Sequence, residues 1–90
     1  MSGKDYLMDQ IARTTKDIGN VLRNARKAKN LTQAELASRA GVWQRTISNI
    51  ETSASGAKLD TVFDLLAALD LEIHIVPRSK MTPRDLEDIF

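Results

Sequence analysis

The sequence predicts a mainly α-helical domain: a bundle of four to five helices, followed by one short β-strand near the C-terminus. Three observations carry this reading. Apolar residues fall at helical spacing in four windows between residues 15 and 69. Threonines followed three residues later by an acid, the local signature of a helix start, precede two of those windows. Residues 71–76 then switch to alternation, with Leu71, Ile73 and Ile75 set against Glu72, His74 and Val76, and Pro77 closes the run.

Residues 1–13 carry scattered apolar positions (Tyr6, Leu7, Met8, Ile11) without a start signal and read as an arm. The domain proper is expected over 14–70. Thr14 and Asp17 open helix 1, about 15–29, whose buried face is Ile18, Val21, Leu22 and Ala25. Thr32 and Glu35 form a second capping box, so helix 2 begins near Gln33 and turns Leu36, Ala37 and Ala40 inward. Gly41 stops it, because glycine takes the left-handed conformation without steric cost. Helix 3 runs from about Gln44 to Glu51 with Ile47 and Ile50 inside, and residues 52–58 form a loop. Helix 4, from Leu59 to Leu69, has an apolar stripe (Leu59, Val62, Leu66 and Leu69, widened by Phe63 and Leu65) too broad for one contact. The strand occupies 71–77. In the tail, 78–90, Thr82 and Pro83 can open a short helix, since proline is favoured in a first helical turn.

Composition narrows the function classes. Ninety residues, 42% hydrophobic and 28% charged, make one small domain without room for a large catalytic cleft. There is no cysteine and a single histidine, His74, which excludes a disulfide framework, a thiolate or histidine-rich metal site and a cysteine nucleophile. No glycine-rich phosphate loop or convergent acid pair is present, so no enzyme and no cofactor are expected. The apolar runs fall short of the roughly 18 residues of a membrane span, and the opening MSGKDYLMDQ is charged, so a soluble cytoplasmic protein is expected. A domain this size buries only about 60 to 65% of its unfolded surface, which leaves oligomerisation as its remaining staple. Net charge is +1, but residues 1–50 hold nine Lys/Arg against four Asp/Glu and residues 51–90 hold four against eight. The N-terminal half therefore suits a polyanion.

The segment LTQAELASRAGVWQRTISNIE, Leu31 to Glu51, has helix-turn-helix spacing: Ala37 at the close approach, Gly41 at the turn four residues later, and Val42, Ile47 and Ile50 on the inner face. It closely resembles the lambda-repressor-like, or XRE-type, DNA-binding domains. With the strand following helix 4 directly, the whole chain resembles HipB-type antitoxins, DNA-binding partners of HipA-type serine/threonine kinase toxins. The resemblance implies a cytoplasmic homodimer whose strands pair, an inverted-repeat operator in double-stranded DNA, autoregulation, and a HipA-type kinase as partner. Pairing also has a physical motive, since a lone strand exposes unpaired backbone groups; Leu71, Ile73 and Ile75 are the expected dimerisation residues. The alternative is a stand-alone or phage-type repressor of the same family without a toxin.

Helix-turn-helix proteins lay the second helix in the major groove, which makes Trp43, Gln44, Arg45, Ser48 and Asn49 the candidate base contacts. Gln44 suits adenine N6/N7 and Arg45 guanine O6/N7. Trp43 stands where the family commonly has a Ser or Thr cap. Two readings of it stay open, packing on a thymine methyl or sugar, or packing on protein. Gln33, at the positive end of helix 2, is a candidate phosphate contact, as the resembling family also implies. Thr32 and Thr46 are candidates beside it, each with a plain capping or packing role as the equal alternative. Lys27, with Lys29 and Arg39, supplies sequence-independent attraction or is simply solvated surface. Arg26 and Glu51 occupy positions that in the resembling repressors form a structural ion pair.

Overall fold

Four helices form in a computed structural model that describes residues 10–53 and 56–78: α1 (Thr15–Ala28), α2 (Gln33–Ala40), α3 (Gln44–Thr52) and α4 (Leu59–Ala68). Their ends follow from local chemistry. At α1 the Thr14 hydroxyl oxygen accepts the Asp17 N–H at 3.1 Å, but the Asp17 carboxylate accepts from the N–H of Arg13, at 2.8 Å, one residue earlier than in a reciprocal box. That backbone hydrogen bond is the main reason the Asp17 carboxyl lies below its ordinary 3.8. At α2 the box is complete: Glu35 N–H to the Thr32 hydroxyl at 3.0 Å, and Thr32 N–H to the Glu35 carboxylate at 2.9 Å. Gly41 then takes φ 71° and ends the helix.

α1 and α4 each stop one residue earlier than their apolar patterns suggest. Lys29 and Leu69 are C-caps, and the residues after them, Asn30 and Asp70, are left-handed (φ 58° and 59°). The turn is locked by Leu31 N–H to the Arg26 carbonyl at 3.1 Å and by Leu71 N–H to the Leu66 carbonyl at 2.8 Å, the long bond of a Schellman closure. α3 runs one residue further than expected, to Thr52, whose hydroxyl donates to the Ser48 carbonyl at 2.8 Å before Ser53 (φ 56°) ends it.

α1 packs on α3, and α2 on both α3 and α4. Leu22, Leu36, Ile47, Leu65 and Leu69 are fully enclosed, with Leu31, Ala37, Ile50 and Leu66 around them. Ile18, Ala25, Ala40, Val42, Val62, Ala68 and Leu71 pack against this core from the side. Gly19 makes the α1–α3 approach possible: a Cβ there would lie 2.3 Å from the Ile50 carbonyl oxygen. The broad stripe of α4 divides. Leu65, Leu66 and Leu69 enter the core, while Leu59 and Phe63 stay exposed.

The single chain has no β-strand over residues 71–76, where one is expected, nor elsewhere among the described residues. A strand exists through its hydrogen-bonded mate, and alternation specifies a face without supplying one. Leu71 packs against the chain's own core, whereas Ile75 is 94% exposed. Glu72 and His74, two residues apart, pair with each other. The expected tail helix and most of the expected N-terminal arm fall on residues 79–90 and 1–9, outside the described residues.

Candidate nucleic-acid interface

The turn between α2 and α3 is built around one oxygen. The Ala37 carbonyl accepts from the N–H groups of both Gly41 and Val42, at 2.9 and 3.1 Å, so the chain reverses within three residues. α3 then lies across α2 with Ile47 and Ile50 buried. Its other side is open. Gln44 and Arg45 are exposed, and Thr46, Ser48 and Asn49 are half-buried. Ser48 lies one turn beyond Gln44 and Asn49 one turn beyond Arg45, which gives two short ladders on the outward surface. At about 1.5 Å rise per residue the helix is roughly 13 Å long, close to the ~12 Å width of a B-DNA major groove. Trp43 is the N-cap of α3; it makes no side-chain capping hydrogen bond and is 82% exposed.

The start of α2 sits beside this face. Thr32 is occupied as a cap. Gln33 is half-buried, and its side-chain amide donates to the Glu51 carboxylate at 3.1 Å, leaving its backbone N–H and a second amide hydrogen for a phosphate. Sequence reasoning missed this bond, because nothing in the spacing of residues 33 and 51 announces it. Lys27, Lys29 and Arg39 are exposed. A polar cleft of about 300 Å³ lined by Thr46, Asn49, Gly56, Ala57, Lys58 and Thr61 adds Lys58 and Thr61 to the candidate residues. The signal available for them was a lysine directly before an apolar helix that has no Ser or Thr cap.

Arg26 and Glu51 hold α3 in place. Arg26 Nε donates to Glu51 Oε2 at 2.7 Å and Nη2 to Oε1 at 3.0 Å, while Nη1 donates to the Leu31 carbonyl at 2.7 Å. Their side chains are 10% and 3% exposed. Burial pushes the Glu51 carboxyl up, but hydrogen bonds from Arg26 and Gln33, together with the Arg26 charge, overcome this and leave it below its ordinary 4.5. The hydrogen bond to Glu51 raises Arg26 in turn, against the opposing effect of burial. One carboxylate thus ties the C-terminal end of α3 to α1 and, through Gln33, to the N-terminus of α2.

On another face, Ile18, Ile50, Leu59, Val62 and Ile73 line a largely apolar groove of about 440 Å³. Of the expected dimerisation residues, Ile73 lines this groove, Ile75 points into solvent and Leu71 is half-buried against the core.

This constellation of a capped first helix, a tight glycine turn and a second helix with an open polar face is matched outside this chain. Residues 22–76 match the Helix-turn-helix family. The chain belongs to the XRE-type helix-turn-helix family. These helix-turn-helix relatives include the uncharacterised HTH-type transcriptional regulator y4dL of Sinorhizobium fredii, 39% identical over 71 residues, 79% of this chain. The match spans only 36% of y4dL's own length. Antitoxin HipB of Escherichia coli K12 is 31% identical over 70 residues, 78% of this chain and 80% of HipB. Among solved structures, a HipA-HipB-O2-O3 complex superposes with a TM-score of 0.72 at 30% identity, over 79% of this chain and all of the matched chain. The relatives are HTH-type transcriptional regulators and antitoxins, families that are not enzymatic. Among the described residues, no helix is long and apolar enough to cross a membrane.

Proposed function

We propose that this chain is a cytoplasmic, sequence-specific transcriptional repressor that binds an inverted-repeat operator as a homodimer and acts as the antitoxin of a HipA-type serine/threonine kinase, repressing its own operon. The observation that carries the DNA-binding part is the open face of α3, where Trp43, Gln44 and Arg45 stand clear of the fold on a helix anchored by its buried opposite side. In this reading Gln44, Arg45, Ser48 and Asn49 contact bases, and Gln33, with Thr32, Thr46 and Lys27, contacts phosphates. Residues 14–70 form the DNA-binding domain.

The dimer reading rests on the apolar surface that one chain leaves open. Leu59, Phe63, Ile73 and Ile75 are exposed, and in this reading residues 71–77 pair with their symmetry mate as an antiparallel strand. A twofold arrangement sets the two α3 helices about 34 Å apart, one turn of DNA. The antitoxin role is supported by the likeness to HipB over most of both chains. A second reading is a stand-alone or phage-type regulator of the same family without a toxin, since the family match, to a helix-turn-helix domain, is met equally by such a protein. Two measurements separate these readings: electrophoretic shift with the chain's own upstream DNA, and co-purification of a kinase encoded beside it. A shift without a kinase partner leaves the stand-alone regulator. No shift with any genomic fragment overturns the DNA-binding reading.

A further inference from the structure

We infer that Trp43 adds one thymine to this protein's own sequence preference: its indole reads the C5-methyl group of that base in the major groove, beside the bases met by Gln44 and Arg45. The inference rests on the DNA-binding reading and adds the chemistry of one contact.

Trp43 is the single tryptophan of the chain and is 82% exposed. It occupies the N-cap of α3, where the two preceding helices each have a threonine whose oxygen accepts a first-turn N–H. An indole offers no such acceptor. Instead the Thr46 N–H closes on the Trp43 carbonyl at 3.0 Å, and the side chain contributes nothing to starting the helix. The position therefore forgoes a cap and holds a large ring in water.

That ring does not belong to the apolar surface assigned to the dimer. Leu59, Val62, Ile73 and Ile18 line one groove, and Trp43 is not among its lining residues. Its chain neighbours on α3, Gln44 and Arg45, are polar and exposed. An isolated aromatic face among polar groups, on the end of a helix that reads DNA, gains from meeting an apolar group there. The major-groove edges of the four base pairs carry donors, acceptors and only one such group, the thymine methyl. Covering that methyl removes both apolar surfaces from water. A cytosine in its place would present its N4 amino donor to a ring without an acceptor, and the amino group would lose hydration unpaid. Contact with a sugar would bury the ring equally well on any sequence, so thymine dependence distinguishes the two.

The test uses the full chain and a randomised duplex library, selected in parallel with the wild type, Trp43→Ser and Gln44→Ala. The wild type is expected to enrich a thymine in each half-site, next to the position that Gln44→Ala relaxes. Uracil in place of that thymine should weaken binding about fourfold per half-site, the worth of one buried methyl group. Trp43→Ser should bind the thymine and uracil duplexes equally and accept other bases there. Because serine restores the cap, its melting temperature should equal or exceed that of the wild type, so lost preference is not lost folding. The single-tryptophan emission should shift on binding and become protected from iodide. Equal affinity of the wild type for thymine and uracil duplexes, or an unchanged motif in Trp43→Ser, overturns the inference alone. A library from which the wild type enriches nothing overturns the DNA-binding reading and this inference with it.

Discussion

Replacing Glu51 by alanine removes one carboxylate and unmakes three hydrogen bonds, from Arg26 Nε at 2.7 Å, Arg26 Nη2 at 3.0 Å and Gln33 Nε2 at 3.1 Å. The guanidinium left behind keeps its bond to the Leu31 carbonyl but has no counter-charge, in a site where its side chain is 10% exposed. It cannot shed its proton, so the cost is that of an uncompensated buried charge, about 3 to 5 kcal/mol, against about 0 to 1 kcal/mol for a surface pair. In a domain of this size each kcal/mol moves the melting temperature by about 4 to 8 °C, so a fall of at least about 12 °C is expected. The assay is thermal melting and urea titration followed by circular dichroism. Glu51→Gln, which keeps an acceptor, should fall in between, and the double replacement Arg26→Met with Glu51→Leu should recover most of the loss, because an apolar pair of similar volume needs no counter-charge. The pH dependence has a definite sign. The folded carboxyl titrates below its ordinary 4.5, so its stabilisation is whole above that value and is lost as pH falls through the lower folded one; Glu51→Gln lacks that loss. A Glu51→Ala protein within about 1 kcal/mol of wild type would refute the reasoning, since it would place the pair in effect at the surface.

Gln44→Ala and Arg45→Ala should each cost about 1 to 3 kcal/mol of operator binding and relax one position per half-site, whereas Lys27→Ala should weaken all sequences alike and reduce the salt slope by about 0.9 per lysine; titrations at several salt concentrations check both. Ile73→Lys with Ile75→Lys should dissociate the dimer, read by sedimentation velocity, and a wild type that sediments as a monomer at micromolar concentration would end the dimer proposal. Gly19→Ala should destabilise by about 1 to 3 kcal/mol although alanine favours helix, because its Cβ meets the Ile50 carbonyl oxygen at 2.3 Å. Gly41→Ala has open space around its Cβ and should lose about 1 to 2 kcal/mol from the left-handed backbone alone, which urea titration of both variants compares.

What the sequence made legible were the features fixed by neighbours along the chain. Thr32 with Glu35 and Gly41 after Ala40 fix the ends of α2, and each device is complete within a few residues. Helix periodicity found Leu22, Leu36, Ile47 and Leu66 for the same reason. Three helix ends were less readable because Asn30, Ser53 and Asp70 take left-handed backbone without being glycine, so the usual stop signal was missing. Contacts distant in sequence were not readable from spacing at all. The Gln33 side chain serves Glu51, eighteen positions away, and Gly19 is a contact surface for the Ile50 carbonyl rather than a weak helix residue. The alternation of residues 71–76 illustrates the same limit, since it specifies which side chains share a face but supplies no hydrogen-bonded mate, and none is present among the described residues.

The anchoring of α3 bears on how the proposed DNA face works. Its C-terminal end is held by Glu51 to Arg26 of α1 and to Gln33 at the first turn of α2, whereas its N-terminal end, from Trp43 to Arg45, has no side-chain cap and is open. The C-terminal end is therefore tied by side chains, while the side chains at the N-terminal end are left open. The Gln33 link also sets the distance between the α2 N-terminus, proposed to sit on a phosphate, and the bases that α3 is proposed to read. A phosphate bound at α2 would then fix the depth at which Gln44 and Arg45 enter the groove, because α2 cannot shift against α3 without breaking the Gln33–Glu51 bond. On this argument Gln33→Ala weakens binding to every sequence and also blurs the preference at the Gln44 position, while Lys27→Ala, attached to no such link, leaves the preference sharp. On the proposed contacts, affinity for the backbone and preference among the bases would be coupled through a single buried carboxylate.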